Sequence, residues 1–392
     1  MIIQPRVRGF ICTTAHPEGC ARNVREQIDH VRGRGAMADM PRRVLVLGCS
    51  TGYGLASRIA LAFGGGARTL GVSFEKPPSE NKTASAGWYN NRAFENEARA
   101  AGLDAPTIEG DAFSDEIKQQ VAQAIRREFG QIDLLVYSMA APVRTDPRTG
   151  ETYRSAIKPL GAPVRLKTLD TQKGEVFEAE FQPATEEETA GTVKVMGGED
   201  WALWIDALQE AGVLAPGFRT LDFTYLGSEM TWPIYWNGTL GKAKEHVDQT
   251  ARALREKLGP DAARVVALKA VVTQASSAIP VVPLYGAVLF AVMKQMGLHE
   301  GCIEQIDRLF RTRFALDAAT DEAGRLRLDD WELSEPVQAE VARRWPLVST
   351  ETLAELADLP EYQAQFLRLF GFGLAGVDYG KDADPMVVPA LG

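Results

Sequence analysis

Residues 43–58, RVLVLGCSTGYGLASR, constrain the fold of this chain more than any other stretch. They begin with an uncharged apolar run, residues 44–47, which is typical of a strand buried on both faces of a parallel sheet. Three glycines follow at the spacing G-x-x-x-G-x-G, and Leu55 and Ile59 then begin an apolar helical face. Such a turn leaves backbone N–H groups free at the start of a helix, where a diphosphate is favoured. The stretch therefore predicts a dinucleotide-binding turn that joins a strand to a helix.

The same residues also match a different kind of site. Gly48 to Gly52 satisfy G-x-S-x-G, the nucleophile elbow of α/β-hydrolases, in which Ser50 would be the nucleophile. An elbow is expected after several strands and an earlier glycine-rich oxyanion segment, whereas this is the first strong strand of the chain. Gly54, the third glycine, is needed by a phosphate-binding turn and not by an elbow. We therefore favour the dinucleotide-binding turn and keep the hydrolase as an alternative.

The remaining pattern predicts a doubly wound fold. Apolar runs indicate strands at residues 44–47, 68–74, 107–111, 132–137, 221–226 and 265–272. Ser114 is expected to cap a helix that carries Asp115 and Glu116 in its first turn. Successive βα units of this kind form an α/β fold with a mostly parallel Rossmann-type sheet and right-handed crossovers. Residues 164–169 and 175–181 alternate around DTQKG and predict an inserted β-hairpin.

We expect one integrated structural unit with four parts. Residues 1–40 form an N-terminal appendage packed on the core, and residues 41–143 together with 219–300 form a Rossmann-type nucleotide-binding and catalytic core. Residues 144–218 contain the inserted hairpin and a helix. Residues 301–392 form C-terminal helices and a tail that is loosely ordered from Gly371 onward, and the additional helices are expected to form a substrate lid.

Composition excludes several classes of function. A net charge of −9 leaves no basic surplus for a nucleic-acid partner. The four cysteines and four histidines are scattered without metal-ligand spacing, so we expect reduced thiols and no metal site. The first residues lack the apolar core of a signal peptide, which favours a cytoplasmic protein. Residues 270–293 carry no charge, but Pro280 and Pro283 interrupt them. We therefore expect a core helix at residues 284–293 and no stable membrane insertion.

Acidic residues at two strand ends refine the choice of cofactor. Glu75 directly follows the second predicted strand, where a carboxylate can accept hydrogen bonds from the ribose hydroxyls of the adenosine half. It would repel the 2′-phosphate of NADPH, although Lys76 beside it could weaken that repulsion. Asp111, at the end of the third strand, is placed where a side chain could meet the adenine. NADH is therefore the favoured cofactor.

A phenol and two lysines lie close together in the segment WPIYWNGTLGKAK. Tyr235 could donate a hydrogen bond to a developing oxyanion, while a lysine would lower the effective pKa of that phenol and hold the nicotinamide ribose. On a straight helix Tyr235 and Lys242 would share a face, whereas Lys244 would lie half a turn out of line. Tyr235 and Lys244 can work together if the helix begins after Tyr235, which Gly238 and Gly241 permit.

These motifs resemble the bacterial trans-2-enoyl-ACP/CoA reductase family called FabV or Ter, an enlarged relative of the short-chain dehydrogenases/reductases. The Tyr-x8-Lys pair Tyr235/Lys244 carries the resemblance, together with MIIQPRVRGF, GCSTGYGLASR, TWPIYW, GKAK, VVTQASSAIP, RLDDWEL and FLRLFGFG, which extend from Met1 to about Tyr379. The resemblance implies a monomeric enzyme that reduces the 2,3-double bond of an enoyl group carried by CoA or acyl carrier protein. NADH would be oxidised to NAD+ in this step of fatty acid synthesis.

The resemblance also implies a set of site residues. Tyr235 would stabilise or protonate the enolate, Lys244 would bind the cofactor, and Tyr225, at the end of a strand, would contact the substrate thioester. The residues implied to line the NADH are Gly48, Cys49, Ser50, Thr51, Gly52, Tyr53, Phe74, Glu75, Asp111, Ala112, Met139, Ala140, Lys244, Val271, Val272 and Thr273. With Lys244 chosen over Lys242, Tyr235 should lie in a turn before the helix.

Other functions remain open beside this one. A short-chain-type carbonyl reductase of the same fold would reduce ketones or aldehydes, the hydrolase would use Ser50, and a nucleotide sensor would bind without turnover. Residues 279–293 are interpreted either as a wall for an acyl chain or as a plain core helix.

Overall fold

The computed structural model describes residues 1–389, and within them seven parallel strands form the main sheet. The strands are β1 (Arg43–Leu47), β2 (Arg68–Ser73), β3 (Thr107–Glu109), β4 (Ile132–Tyr137), β5 (Leu214–Tyr225), β6 (Ala263–Leu268) and β7 (Leu326–Arg327). Their spatial order is β3-β2-β1-β4-β5-β6-β7. Leu47 of β1 pairs with Val72 of β2 on one side and with Tyr137 of β4 on the other. The chain thus winds outward in both directions from β1, which confirms the predicted doubly wound fold.

Thirteen α-helices lie within the described residues. They are α1 (Pro17–Gly33), α2 (Gly52–Ile59), α3 (Ala86–Ala100), α4 (Asp115–Ala124), α5 (Glu186–Met196), α6 (Glu199–Glu210), α7 (Thr239–Leu258), α8 (Gln274–Ser277), α9 (Val282–Gln295), α10 (Cys302–Thr312), α11 (Glu335–Arg344), α12 (Leu353–Leu356) and α13 (Leu359–Arg368). Helix α2 continues as a π-helical turn over Ala60–Gly64, and α4 continues in the same way over Ile125–Phe129. A 3-10 turn at Trp345–Leu347 follows α11. The Ser114 hydroxyl accepts a hydrogen bond from the Ile117 N–H, as expected for the cap of α4.

Alternation along β1 divides the core around the sheet into two layers. Val44 and Val46 point toward the face that is covered by α1, α2, α3 and α10. Leu45 and Leu47 point toward the opposite face, which is covered by α4, α6 and α7. All four side chains are fully buried, so the uncharged run is a central strand of the sheet.

A third apolar cluster surrounds α9, together with α11, α13 and the N-terminal segment. Helix α9 is the apolar helix predicted at residues 284–293, and it is buried on nearly all sides. No helix within residues 1–389 is long and apolar enough to cross a membrane.

Antiparallel pairs stand outside the main sheet. Val164–Asp170 and Glu175–Phe181 form the predicted hairpin. Two shorter pairs join Val7–Arg8 to Ile11–Cys12 and Val143–Thr145 to Thr152–Arg154.

Several predicted boundaries were wrong. Strand β5 begins at Leu214 rather than at residue 221, and β6 ends at Leu268 rather than at residue 272. The charged sequence TEEE was predicted to be exposed, and residues 185–187 are exposed, but the helix that it starts, α5, was not predicted. A capping box between Thr185 and Glu188 begins this helix. A single C-terminal helix was expected at residues 352–370. It is divided into α12 and α13 because Pro360, near the start of α13, has no N–H for the carbonyl four residues earlier and its ring would clash with that carbonyl in a continuous helix.

The tail beyond Gly371 is packed rather than loose over its described part. Phe372 and Leu374 are buried, and the Tyr379 ring meets the His16 ring at a centroid distance of 5.0 Å. The last three residues of this expected tail, 390–392, lie outside the described residues.

Candidate active site

Apart from Lys244 on α7, the predicted cofactor residues follow the carboxyl ends of β1, β2, β3, β4 and β6. The glycine turn after β1 is the most tightly defined of these segments. Gly48 has a φ of +72°, and a Cβ added there would overlap with the Ser138 carbonyl oxygen. A Cβ on Gly54 would overlap with the Gly48 carbonyl oxygen. Helix α2 then begins without a side-chain hydrogen bond from its N-cap residue, Thr51. The N–H groups of its first turn are therefore open toward a diphosphate, as the sequence predicts.

Glu75 lies against this turn. Its carboxylate accepts hydrogen bonds from the hydroxyls of Ser50, at 2.6 Å, and of Ser85. Gly87 makes room for it, because a Cβ at this position would overlap with the Glu75 carboxylate. Burial raises the pKa of the Glu75 carboxyl, and the two serine hydroxyls oppose that rise. Ser50 therefore serves the acidic residue beside the turn, an arrangement unlike the nucleophile–histidine pair of a hydrolase.

The predicted adenine contacts lie on two further strand ends. Phe74 is 78% exposed, which leaves its ring free to stack on a planar ligand. The Asp111 carboxylate accepts a hydrogen bond from the Phe113 N–H at 3.0 Å. Ala112 is buried, and its carbonyl accepts from the Lys118 ammonium at 3.0 Å. These two hydrogen bonds hold the loop that follows β3.

A cavity of about 180 Å³ gathers the residues expected to do chemistry. From the predicted set it is lined by Tyr53, Met139, Ala140, Tyr225, Tyr235, Lys244, Val271 and Thr273. A second cavity of about 520 Å³ is lined by Thr51, Gly52 and Val272. Gly48, Cys49, Ser50, Phe74, Glu75, Asp111 and Ala112 line neither cavity.

Tyr235 lies in a turn, and α7 begins four residues later at Thr239. This is the arrangement that the spacing of Tyr235 and Lys244 requires. Gly241 allows the turn to pack on the helix, because a Cβ there would overlap with the Trp236 carbonyl oxygen. Burial raises the pKa of the Tyr235 phenol, so it stays protonated at neutral pH. Among the described residues, its hydroxyl makes no hydrogen bond and remains available for a ligand.

The structure also separates the two candidate lysines. The Lys244 ammonium lines the cavity and donates to the Phe223 carbonyl at 3.2 Å. Lys242 points outward and forms an exposed ion pair with Glu245 at 2.8 Å. Asp222 lines the same cavity as Lys244; burial raises its pKa to about 7, while the Lys244 ammonium acts in the opposite direction.

Tyr225 ends β5 and packs against Tyr235. Their ring centroids are 5.0 Å apart at an interplanar angle of 78°, an edge-on arrangement. The Tyr225 hydroxyl donates to the Glu332 carboxylate at 3.1 Å. Glu332 belongs to the segment RLRLDDWEL, whose alternation predicts a short strand and no chemistry. The strand is present as β7, but the segment also supplies Glu332 to the site.

The sequence also gave no indication of Asn90, which lines the larger cavity. Its amide nitrogen donates to the Ser50 carbonyl at 3.0 Å. Its amide oxygen is buried and has no partner among the described residues. Asn90 lies in a helix whose sequence carries no motif, so only the three-dimensional arrangement reveals its place beside the turn.

The geometry thus fits a dinucleotide across the carboxyl edge of the sheet, with a protonated phenol and an ammonium at one end. Residues 1–389 contain no group of histidine, cysteine and carboxylate side chains that could hold a metal ion.

Comparisons with known proteins agree with this geometry. Residues 82–314 match the family model for the trans-2-enoyl-CoA reductase catalytic region, and residues 2–80 match that for the NAD(P)H binding domain of trans-2-enoyl-CoA reductase. Residues 320–383 match a model described as an enoyl reductase FAD binding domain.

Curated relatives and a solved structure cover nearly the whole chain. An enoyl-acyl-carrier-protein reductase (NADH) of Burkholderia thailandensis is 58% identical and covers 100% of both chains. An enoyl-acyl-carrier-protein reductase (NADH) FabV of Aeromonas salmonicida is 55% identical over 99% of this chain and 98% of its own. The crystal structure of Treponema denticola trans-2-enoyl-CoA reductase in complex with NAD superposes with a TM-score of 0.94 and 49% identity, over 98% of each chain.

The segment that matches the FAD model does not fit a flavin. A dinucleotide diphosphate needs an open helix N-terminus with little negative charge. Helix α11 begins with Glu335, and the Asp358 carboxylate caps α13 by accepting from the Glu361 N–H at 3.1 Å. Helix α12 has only four residues. No step of the chemistry below involves a flavin.

Proposed function

The chain belongs to the trans-2-enoyl-CoA reductase family, Ter/FabV, and from this premise we propose how its residues share the NADH-dependent reduction of enoyl thioesters that it catalyses. The observation that carries the assignment is the single cavity that joins Tyr235 and Lys244 beside the glycine turn. A carbonyl reductase or a hydrolase is not favoured, because the relatives that match over the whole chain are enoyl reductases.

Cofactor binding is assigned to the carboxyl edge of the sheet. The N–H groups at the start of α2 bind the diphosphate, and Glu75 accepts hydrogen bonds from the adenosine ribose. Phe74 and the loop of Asp111 and Ala112 flank the adenine. The nicotinamide lies in the smaller cavity, where the remaining residues of the predicted set are Tyr53, Met139, Ala140, Val271 and Thr273. NADH, when bound, supplies a hydride to Cβ of the enoyl thioester.

Tyr235 is assigned to the developing negative charge. Hydride addition at Cβ places charge on the thioester oxygen, which becomes an enolate. The Tyr235 hydroxyl donates a hydrogen bond to that oxygen or passes its proton to the enolate, whose protonation at Cα completes the reduction. It can do so because it is protonated and has no partner within the described residues. Burial strengthens this hydrogen bond, since the cavity has a lower dielectric constant than water.

Lys244 and Tyr225 complete the site. The Lys244 ammonium holds the nicotinamide ribose and favours negative charge in the cavity. Tyr225 lines the cavity next to Tyr235 and contacts the substrate thioester. Residues 279–293, which include most of α9, form the wall for the acyl chain, with Ile279 and Val282 lining the cavity directly.

The partner is an enoyl group carried by CoA or by acyl carrier protein. We propose that the chain acts as a monomer, as its resemblance to this family implies, and that it is cytoplasmic.

The proposal is tested by following NADH oxidation with crotonyl-CoA and comparing NADH with NADPH. Tyr235→Phe should lower kcat by about a hundredfold or more, because general acid catalysis typically contributes that much. NADH should still bind to this variant with unchanged affinity, measured by fluorescence titration. Turnover in Tyr235→Phe equal to that of the wild type would contradict the assignment, and a wild type inactive with every enoyl thioester would overturn the function itself.

A further inference from the structure

Glu332 lies in the turn between β7 and α11, outside the part of the chain that matches the catalytic-region model. Its side chain is fully buried, and its carboxylate lies next to Tyr225, which lines the active-site cavity. One carboxylate oxygen accepts from the hydroxyls of Tyr225, at 3.1 Å, and of Tyr285, at 2.8 Å. The other oxygen accepts from the Ala270 N–H at 2.6 Å. The C-terminal segment thus contacts both the substrate tyrosine and the start of the 270–273 cofactor loop.

A buried carboxylate is costly unless it is paired and fully hydrogen-bonded. Three donors reach Glu332, and the Lys269 ammonium beside it supplies positive charge. Lys269 is itself buried and donates to the Ala270 and Glu300 carbonyls. Burial raises the pKa of Glu332, while Lys269 and the hydrogen bonds oppose that rise. The three donated hydrogen bonds and the nearby ammonium favour the charged form of this carboxylate, and burial opposes it.

Hydrogen bonds from Gln338 also help to fix the position of Glu332. The Gln338 amide on α11 donates to the Glu332 carbonyl at 2.7 Å and to the Tyr285 hydroxyl at 3.1 Å. The Tyr225 ring packs closely on the backbone of Gly227, where a Cβ would lie 2.9 Å from one of its carbons, and edge-on against Tyr235. Hydrogen bonds therefore hold the acceptor, and close packing holds the ring of the donor.

We propose, on the basis of the function assigned above, that Glu332 is a positioning residue that accepts the hydrogen bond of the Tyr225 hydroxyl and so leaves Tyr235 as the only phenol of the pair that donates to the substrate oxygen. A phenol has one proton, and a carboxylate accepts it more strongly than a neutral thioester carbonyl does. Tyr225 then acts on the substrate through its ring, whose edge-on contact with Tyr235 orients the donating hydroxyl.

The test is a double-mutant cycle with Glu332→Gln, Tyr225→Phe and, as matched control, Tyr285→Phe. The control removes the second phenol from the same carboxylate oxygen without touching Tyr225. Glu332→Gln should lower kcat/KM for crotonyl-CoA about tenfold, as expected for loss of a hydrogen bond to a charged group. In the Tyr225→Phe background the same change should cost less than about twofold. In the Tyr285→Phe background the full tenfold loss should remain.

Urea unfolding of the same variants provides a readout that does not depend on activity. Both tyrosines should show coupling to Glu332 in the free energy of unfolding, but only Tyr225 should show it in kcat/KM. If Glu332→Gln does not fold, Glu332→Asp replaces it, because it keeps the charge and withdraws it from the phenols. A loss of activity that persists in the Tyr225→Phe background, or wild-type activity in Glu332→Gln, would overturn the proposal. Wild-type turnover of crotonyl-CoA, measured first, tests the underlying function separately.

Discussion

Lys242 and Lys244 lie two positions apart on α7, and their side chains meet different surroundings. Lys244 lines the cavity with Tyr235, whereas Lys242 is in an exposed ion pair with Glu245. Lys244→Met should therefore weaken NADH binding and lower kcat/KM by about a hundredfold, within the range typical of acid–base groups. Lys242→Met should stay within about twofold of the wild type, because an exposed pair contributes little. Steady-state kinetics and NADH fluorescence titration measure both, and loss of NADH binding in Lys242→Met alone would show that the wrong lysine has been assigned.

Asp222 should make stability depend on pH. Burial raises its pKa to about 7, although the Lys244 ammonium opposes the rise. The folded state therefore holds a proton that the unfolded chain releases near pH 4. The stability due to this proton is fully present below about pH 4 and is lost as pH rises toward 7, by up to about 4 kcal/mol.

Asp222→Asn should remove this loss, since its amide does not ionise. Urea unfolding of wild type and variant at several pH values between 4 and 8 measures the difference in slope. Asp206→Asn, at the surface on α6, is the matched control. Parallel pH profiles for the wild type and Asp222→Asn would contradict the assignment.

Sequence patterns could predict the residues whose chemistry depends on near neighbours in the chain. The glycine spacing and the position of Glu75 follow from local backbone geometry, and the requirement for a helix start after Tyr235 follows from helical periodicity. Glu332 could not be found in this way, because it meets Tyr225 from 107 positions away. A lone glutamate in an amphipathic segment carries no local signal of burial.

At the scale of elements, the start of α7 sets the position of Tyr235. Gly241→Ala would push a Cβ into the Trp236 carbonyl oxygen, and the turn that carries Tyr235 would have to move. Overpacking of this kind costs about 1–3 kcal/mol, and the displaced phenol should lower kcat more than it weakens NADH binding.

Gly33→Ala is the matched control for this change. Gly33 ends α1, and its added Cβ would meet no heavy atom within 4 Å. Thermal unfolding and steady-state kinetics should therefore match the wild type for Gly33→Ala and fall for Gly241→Ala. Equal behaviour of the two variants would show that the close contact does not hold the turn.

Elements with apolar runs were predicted reliably, whereas one helix with a strongly charged first turn was missed. Strands β1 and β4 follow directly from their apolar runs. Helix α5 was missed although Thr185 and Glu188 carry a capping-box spacing, because its charged first turn suggested an exposed segment. The end of β6 was placed too late, because its pairing with β5 stops at Leu268 and the apolar residues Ala270 and Val271 line the smaller cavity instead.

At the scale of the whole molecule, the parallel sheet could be predicted, but the closure of the C-terminal part onto it could not. Successive βα units imply a doubly wound sheet through general rules of connection. Alternation in residues 325–333 does predict the short strand β7, but nothing local in residues 320–389 indicates that they surround α9. That packing depends on contacts between distant segments, and it is what places Glu332 behind the site.

The two ends of the described chain also meet, which leads to a prediction about stability. The Met1 ammonium donates to the Ala383 carbonyl at 2.7 Å, and the Tyr89 hydroxyl donates to the Pro385 carbonyl at 2.7 Å. Phe372 and Leu374 bury their side chains on the way. Removing residues 371–392 should therefore cost about 3–6 kcal/mol, since each buried side chain of this size contributes about 1.5–3 kcal/mol. Urea unfolding measures the loss.

A variant with Met386→Ser and Val387→Ser is the control, because both side chains are about half exposed and their change should leave stability nearly unaltered. Wild-type stability in the shortened chain would mean that the tail contributes nothing to the fold.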